Sequence, residues 1–89
     1  MRRAAKTDAN QSVIVDALRR IGAQVFYIKE PVDLLVGYRG KNSLLEVKDH
    51  DGRLTKAQVE FIAMWPTDVH IVRTVDEALR AVIGEEALR

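Results

Sequence analysis

Two short apolar runs, each interrupted by charge, constrain the fold of this 89-residue chain more than any other feature: Val32-Asp33-Leu34-Leu35-Val36 and Leu44-Leu45-Glu46-Val47-Lys48. Runs of this length, rich in Val and Leu, read as strands of a sheet with a buried side. A lone carboxylate inside such a run is costly to bury, and a shared metal ion is one way to offset that cost. Between the runs, Arg39-Gly40-Lys41-Asn42 reads as a hairpin turn, with Gly40 supplying positive φ at the first central position of a type II′ turn. A turn centred on Gly40 and Lys41 pairs Arg39 with Asn42, Leu35 with Glu46 and Asp33 with Lys48. Asp33, Glu46 and Lys48 then project from one face, with Asp33 and Glu46 as diagonal neighbours about 7–8 Å apart at the backbone. Val47, one residue out of phase, points to the apolar side.

The rest of the chain supplies the cover for such a hairpin. Asp8 is positioned to cap a first helix with Gln11 as its N3 residue, and Val13, Ile14, Ala17, Leu18 and Ile21 form a stripe ending at Gly22. Gln24 to Ile28 reads as a first strand, broken from the second, Val32 to Tyr38, by Lys29-Glu30-Pro31; the third runs from Asn42 to Lys48. Thr55 and Gln58 form a capping box for a second helix with Phe61, Ile62 and Trp65 on its inner side, stopped by Pro66. A fourth strand comes next at Val69 to Arg73. Thr74 and Glu77 then start a C-terminal helix with Val75, Ala78, Leu79, Val82 and Ile83 inward. The order αβββαβα predicts an α/β fold, a mixed four-stranded sheet flanked by helices. The third strand is central and parallel to the fourth through a βαβ crossover.

This length supports one domain spanning residues 1–89, with residues 1–7 expected to be a mobile basic arm. The chain has no cysteine, which excludes disulfides and thiolate metal sites. No apolar run of signal or membrane-span length comes after the basic start, so no membrane association and a cytoplasmic location are expected. Fourteen Lys and Arg against thirteen Asp and Glu leave a net charge of +1, so any nucleic-acid surface must come from local clusters. The candidates are Arg2, Arg3 and Lys6 in the arm, Arg39 and Lys41 in the turn, and Arg53 and Lys56 after Lys48.

Chemically, a carboxylate pair suits Mg²⁺ or Mn²⁺, which takes oxygen ligands at about 2.0–2.1 Å. Asp33 and Glu46 are the expected ligands, with the carbonyl of Val47 as a third, while the Lys48 ammonium can orient a water or offset charge on a phosphate. Asn10 and Gln11 open the first helix and Gln58 heads the second. Asn10 and Gln58 can serve as caps. His50 comes just after the site without a partner at metal-ligand spacing and reads as a surface residue. Taken singly, Glu-x-Lys at a strand end and Asp after Pro are also ordinary features of a strand emerging into water.

Pro31-Val32-Asp33 followed by Leu44-Leu45-Glu46-Val47-Lys48 resembles the signature of the PD-(D/E)xK nuclease superfamily, and the αβββαβ order is similar to its restriction-endonuclease-like core. The resemblance covers essentially the whole chain. It is nearest to the compact VRR-NUC and Holliday-junction-resolvase-like branch, which includes small phage proteins acting in the cytoplasm of an infected bacterial host. It implies Mg²⁺ or Mn²⁺ on Asp33 and Glu46, assistance from Lys48, and hydrolysis of phosphodiester bonds in DNA, branched DNA included; cutting two strands needs two sites and one small subunit offers one, so a homodimer is expected. Two departures stand out: Val32 separates Pro31 from Asp33, and no acid occupies the first-helix position where many members carry one, which leaves Asn10 and Gln11 as accessory candidates there; Gln58 resembles the Gln that some members place beside the site from the second helix. Two other readings stay open, a nucleic-acid-binding module that has lost activity and a protein-interaction domain in which the three charges form a salt-bridge cluster.

Overall fold

The computed structural model of the chain describes residues 9–84. The proposed cap Asp8 and the basic arm with Arg2, Arg3 and Lys6 lie outside the described residues.

The element order is α1 (Gln11–Arg20), β1 (Gln24–Tyr27), β2 (Leu34–Tyr38), β3 (Lys41–Val47), α2 (Lys56–Met64), β4 (Val69–Val72) and α3 (Val75–Ile83). The four strands form one mixed sheet in the order β1-β2-β3-β4. The first two pairings are antiparallel and β3 pairs with β4 in parallel, as the α2 crossover requires. No helix among the described residues is long and apolar enough to cross a membrane.

Helix α1 ends in a Schellman motif. The amide of Ala23 donates to the Leu18 carbonyl and that of Gly22 to Arg19, with Gly22 at φ 96°. Its buried residues are Ile14, Val15 and Leu18, whereas Val13 is 57% exposed. The expected stripe was therefore rotated too far toward Val13. Packing against α3 as well as β1 turns the helix so that Val15, about 100° round from Ile14, faces inward.

The hairpin also departs from expectation. Tyr38 pairs with Lys41, so the turn is centred on Arg39 and Gly40, both at positive φ (48° and 80°). This is the type I′ geometry, which matches the strand twist, in place of type II′. Every β2–β3 pair is shifted by two residues relative to the expected register. Because the side-chain period is two, the shift leaves every side chain on its expected face.

One face of the sheet is sealed. Val25, Leu34, Val36, Leu45, Val47 and Val72 join Ile14, Val15 and Leu18 of α1 and Ala78 and Val82 of α3 in a single core. Burying one such side chain stabilises the fold by roughly 1.5–3 kcal/mol. The opposite face, with Asp33 and Glu46, is approached by α2. This helix contributes no buried residue, and Trp65 is 41% exposed beside Phe61, with ring centroids 5.0 Å apart. The expectation that Phe61 and Trp65 belong to the core is corrected: α2 meets this face at the Gln58–Glu46 bond and buries none of its own residues, and Phe26 and Ile71 on the same face stay exposed.

Candidate metal centre

Asp33 sits one residue before β2, and the chain folds around it. Its carbonyl accepts from the amides of Ile28 and Lys29 at 2.9 and 3.3 Å, fixing the bend between β1 and β2. Its carboxylate reaches across to β3, where Oδ2 accepts from the Val47 amide at 2.8 Å. Since Leu34 pairs with Leu45, the next step along the ladder sets Asp33 directly opposite Glu46, closer than the expected diagonal.

Glu46 is 1% exposed. Its Oε2 accepts from Gln58 Nε2 at 2.8 Å and lies 3.4 Å from Lys48 Nζ. Its Oε1 is buried with no hydrogen-bond partner. Burial, reinforced by the Asp33 carboxylate beside it, pushes the Glu46 carboxyl up to about 7, against an opposing pull from Lys48. With both acids ionised, Asp33, Glu46 and Lys48 sum to one negative charge in a largely dehydrated place.

A divalent cation fits this donor set. Each carboxylate has one oxygen engaged by the protein, Asp33 Oδ2 by the Val47 amide and Glu46 Oε2 by Gln58, and the unpartnered Glu46 Oε1 is the atom an ion would satisfy. No group of three or more His, Cys, Asp or Glu side chains suited to a metal occurs among the described residues. Further ligands would have to be a backbone carbonyl such as that of Val47, water or substrate oxygen, which suits a hard ion that keeps part of its hydration shell.

Gln58 caps α2 and also reaches Glu46. Its backbone amide donates to Thr55 Oγ1 and its Oε1 accepts from the Thr55 amide, completing the capping box. The box leaves Nε2 directed at Glu46.

Asn10 is partly buried at the start of α1. It stands at the N-cap of α1 without a side-chain cap bond, and its Nδ2 donates to the carbonyls of Lys48 (3.0 Å) and Arg73 (2.7 Å). It thus ties together the chain just beyond β3 and β4. Gln11 is partly buried in the first turn of α1.

Beyond Lys48 the chain forms a cleft whose rim includes Asp49, Arg53, Thr55 and Gln58. Arg53 on this rim is exposed, as is Lys56 in the first turn of α2. His50 is exposed, 3.9 Å from Asp51, as its surface reading requires. One residue escaped sequence reasoning altogether. Arg73 donates through Nη1 to the carbonyls of Asp49 (2.6 Å) and Gly52 (2.9 Å), holding the loop next to the site. An Arg closing a strand carries no local signal for such a contact. Comparison with protein-family models, with curated proteins and with solved structures gives no match to this chain.

Proposed function

We propose that this protein is a metal-dependent nuclease of the PD-(D/E)xK type, with a restriction-endonuclease-like core, hydrolysing phosphodiester bonds in DNA. The observation that carries the reading is the buried, partnerless Oε1 of Glu46 beside a second carboxylate. A salt-bridge cluster explains it less well, because two acids then share one ammonium, and burial beside Asp33 raises the Glu46 carboxyl to about 7 despite Lys48. Asp33 and Glu46 would hold Mg²⁺ or Mn²⁺, with the Val47 carbonyl as a candidate third ligand. The ion, when bound, supplies Lewis-acid activation of the phosphodiester and of an attacking water. Lys48, whose side chain is 12% exposed, offsets charge growing on the phosphate or orients the water. Gln58 holds Glu46 in its rotamer. Arg53, Lys56 and the amides opening α2 engage phosphates along the cleft.

Cutting both strands of a branched or distorted duplex needs two sites, which one small subunit lacks, so the active form is a homodimer. The exposed Val59 and Met64 of α2, with Trp65 just after it, are its contact surface. The setting is the cytoplasm of a bacterial host. A second reading, a nucleic-acid-binding module with little activity, draws on the lack of a third acid at the site among the described residues.

Incubation of the purified protein with branched, linear and single-stranded DNA in Mg²⁺ or Mn²⁺ tests the proposal. Cleavage that disappears in Asp33→Ala supports it. DNA binding with no cleavage in either metal favours the second reading, and cleavage undiminished in Asp33→Ala removes the mechanism.

A further inference from the structure

We propose that Arg73 is a positioning residue that shapes the DNA-binding rim of the site, acting through the Asp49–Gly52 turn without touching the metal ligands. The inference rests on the nuclease reading above. The turn is closed by a bond from the Gly52 amide to the Asp49 carbonyl (3.0 Å). Arg73 Nη1 reaches from the end of β4 and donates to the carbonyls at both ends of it, at 2.6 and 2.9 Å. Arg73 is itself held at two points. Its amide donates to Glu77 Oε1 at 2.7 Å, and its carbonyl accepts from Asn10 Nδ2, which also binds the Lys48 carbonyl. A half-buried guanidinium fastened to the core side of the sheet therefore fixes the loop on the site side.

The turn governs the rim because Arg53 and the N-terminus of α2 come directly after it, and α2 has no buried residue to fix it independently. Where Arg53, Lys56 and the first α2 amides sit is set mainly by this turn and by the Gln58–Glu46 bond. Asp33, by contrast, is anchored through the Ile28, Lys29 and Val47 amides, none of which involves Arg73. Loosening the turn should weaken substrate binding more than the chemical step.

The test compares wild type, Arg73→Gln and Arg73→Lys. KM and kcat on a DNA the wild type cuts are read with Mn²⁺ affinity and hydrogen exchange at the Gly52 amide. Arg73→Gln loses the charge-assisted bonds, so KM should rise about tenfold with kcat within about twofold. Mn²⁺ affinity should hold and Gly52 exchange should speed up. Arg73→Lys, which keeps a charged donor, should recover most of the affinity. Unchanged KM despite faster Gly52 exchange overturns the inference, as does a parallel loss of Mn²⁺ affinity, which would mark a general structural role. A wild-type protein that neither binds nor cuts DNA defeats the nuclease reading itself, and that is seen before any variant is compared.

Discussion

Glu46→Gln should stabilise the metal-free protein at pH 8 while abolishing its function. In the folded chain the Glu46 carboxyl is raised from 4.5 to about 7, first by burial and then by Asp33. A group whose folded pKa lies above its unfolded one contributes stability that is complete below about 4.5 and lost as pH rises through about 7. The loss corresponds to on the order of 3 kcal/mol by pH 8. Glutamine retains an acceptor for Gln58 Nε2 and adds a donor toward Asp33, whose charge still balances Lys48. Allowing for burial of the amide, the variant should exceed wild type by about 2 kcal/mol at pH 8, a Tm gain of roughly 10 °C for a domain this size. Near pH 5, where folded Glu46 is already protonated, the gain should largely vanish. Thermal melts of both proteins in chelator at the two pH values read it out. A variant destabilised equally at both would refute the reasoning, making Glu46 a structural partner of Lys48 with no strain to relieve.

Other consequences concern the site and its rim. Asp33→Ala and Glu46→Ala should each abolish cleavage, whereas Lys48→Ala should lose most of the rate and keep Mn²⁺ affinity, as parallel kinetics and metal titrations would reveal. Thr55→Ala and Gln58→Leu both break the capping box and should each lower stability by about 1 kcal/mol in urea unfolding. Only Gln58→Leu should also weaken Mn²⁺ binding, because it alone removes the bond to Glu46. The double variant Arg53→Ala with Lys56→Ala should reduce the slope of log affinity for DNA against log salt by up to about two phosphate contacts; an unchanged slope would move the binding face elsewhere. Sedimentation should show a dimer that Trp65→Asp dissociates, and a wild-type monomer at high concentration would remove the dimer.

Much of the fold was legible because the strands carry their own periodicity. Val47 faces the core and Glu46 the opposite side by simple alternation, and the two-residue error in register could not disturb that. The error itself arose at Gly40, whose positive φ fits either central position of a two-residue turn. Only the structure reveals that Arg39 also adopts positive φ. Capping signals at Thr55 and Thr74 were readable as short-range chemistry, and both side chains accept the amide expected, Gln58 and Glu77. Packing that depends on distant elements could not be read. Val15 is buried in place of Val13 because α3 lies beside α1. Phe61 and Trp65 fall short of the core because α2 meets the sheet at the Gln58–Glu46 bond without packing a buried residue against it. Asn10 and Arg73 act across 38 and 24 residues respectively, on the carbonyls of Lys48 and Asp49, and no spacing rule anticipates either contact.

The central claim is that Asp33 and Glu46 form a divalent-cation site, and Mn²⁺ binding followed by electron paramagnetic resonance tests it most directly. In wild-type protein near pH 8 the signal of free Mn²⁺ should fall as protein is added, and Mg²⁺ should restore it by competition. Asp33→Ala and Glu46→Gln should leave the free signal undiminished while remaining folded. Absence of binding by the wild type, or equal binding by all three proteins, would contradict the account.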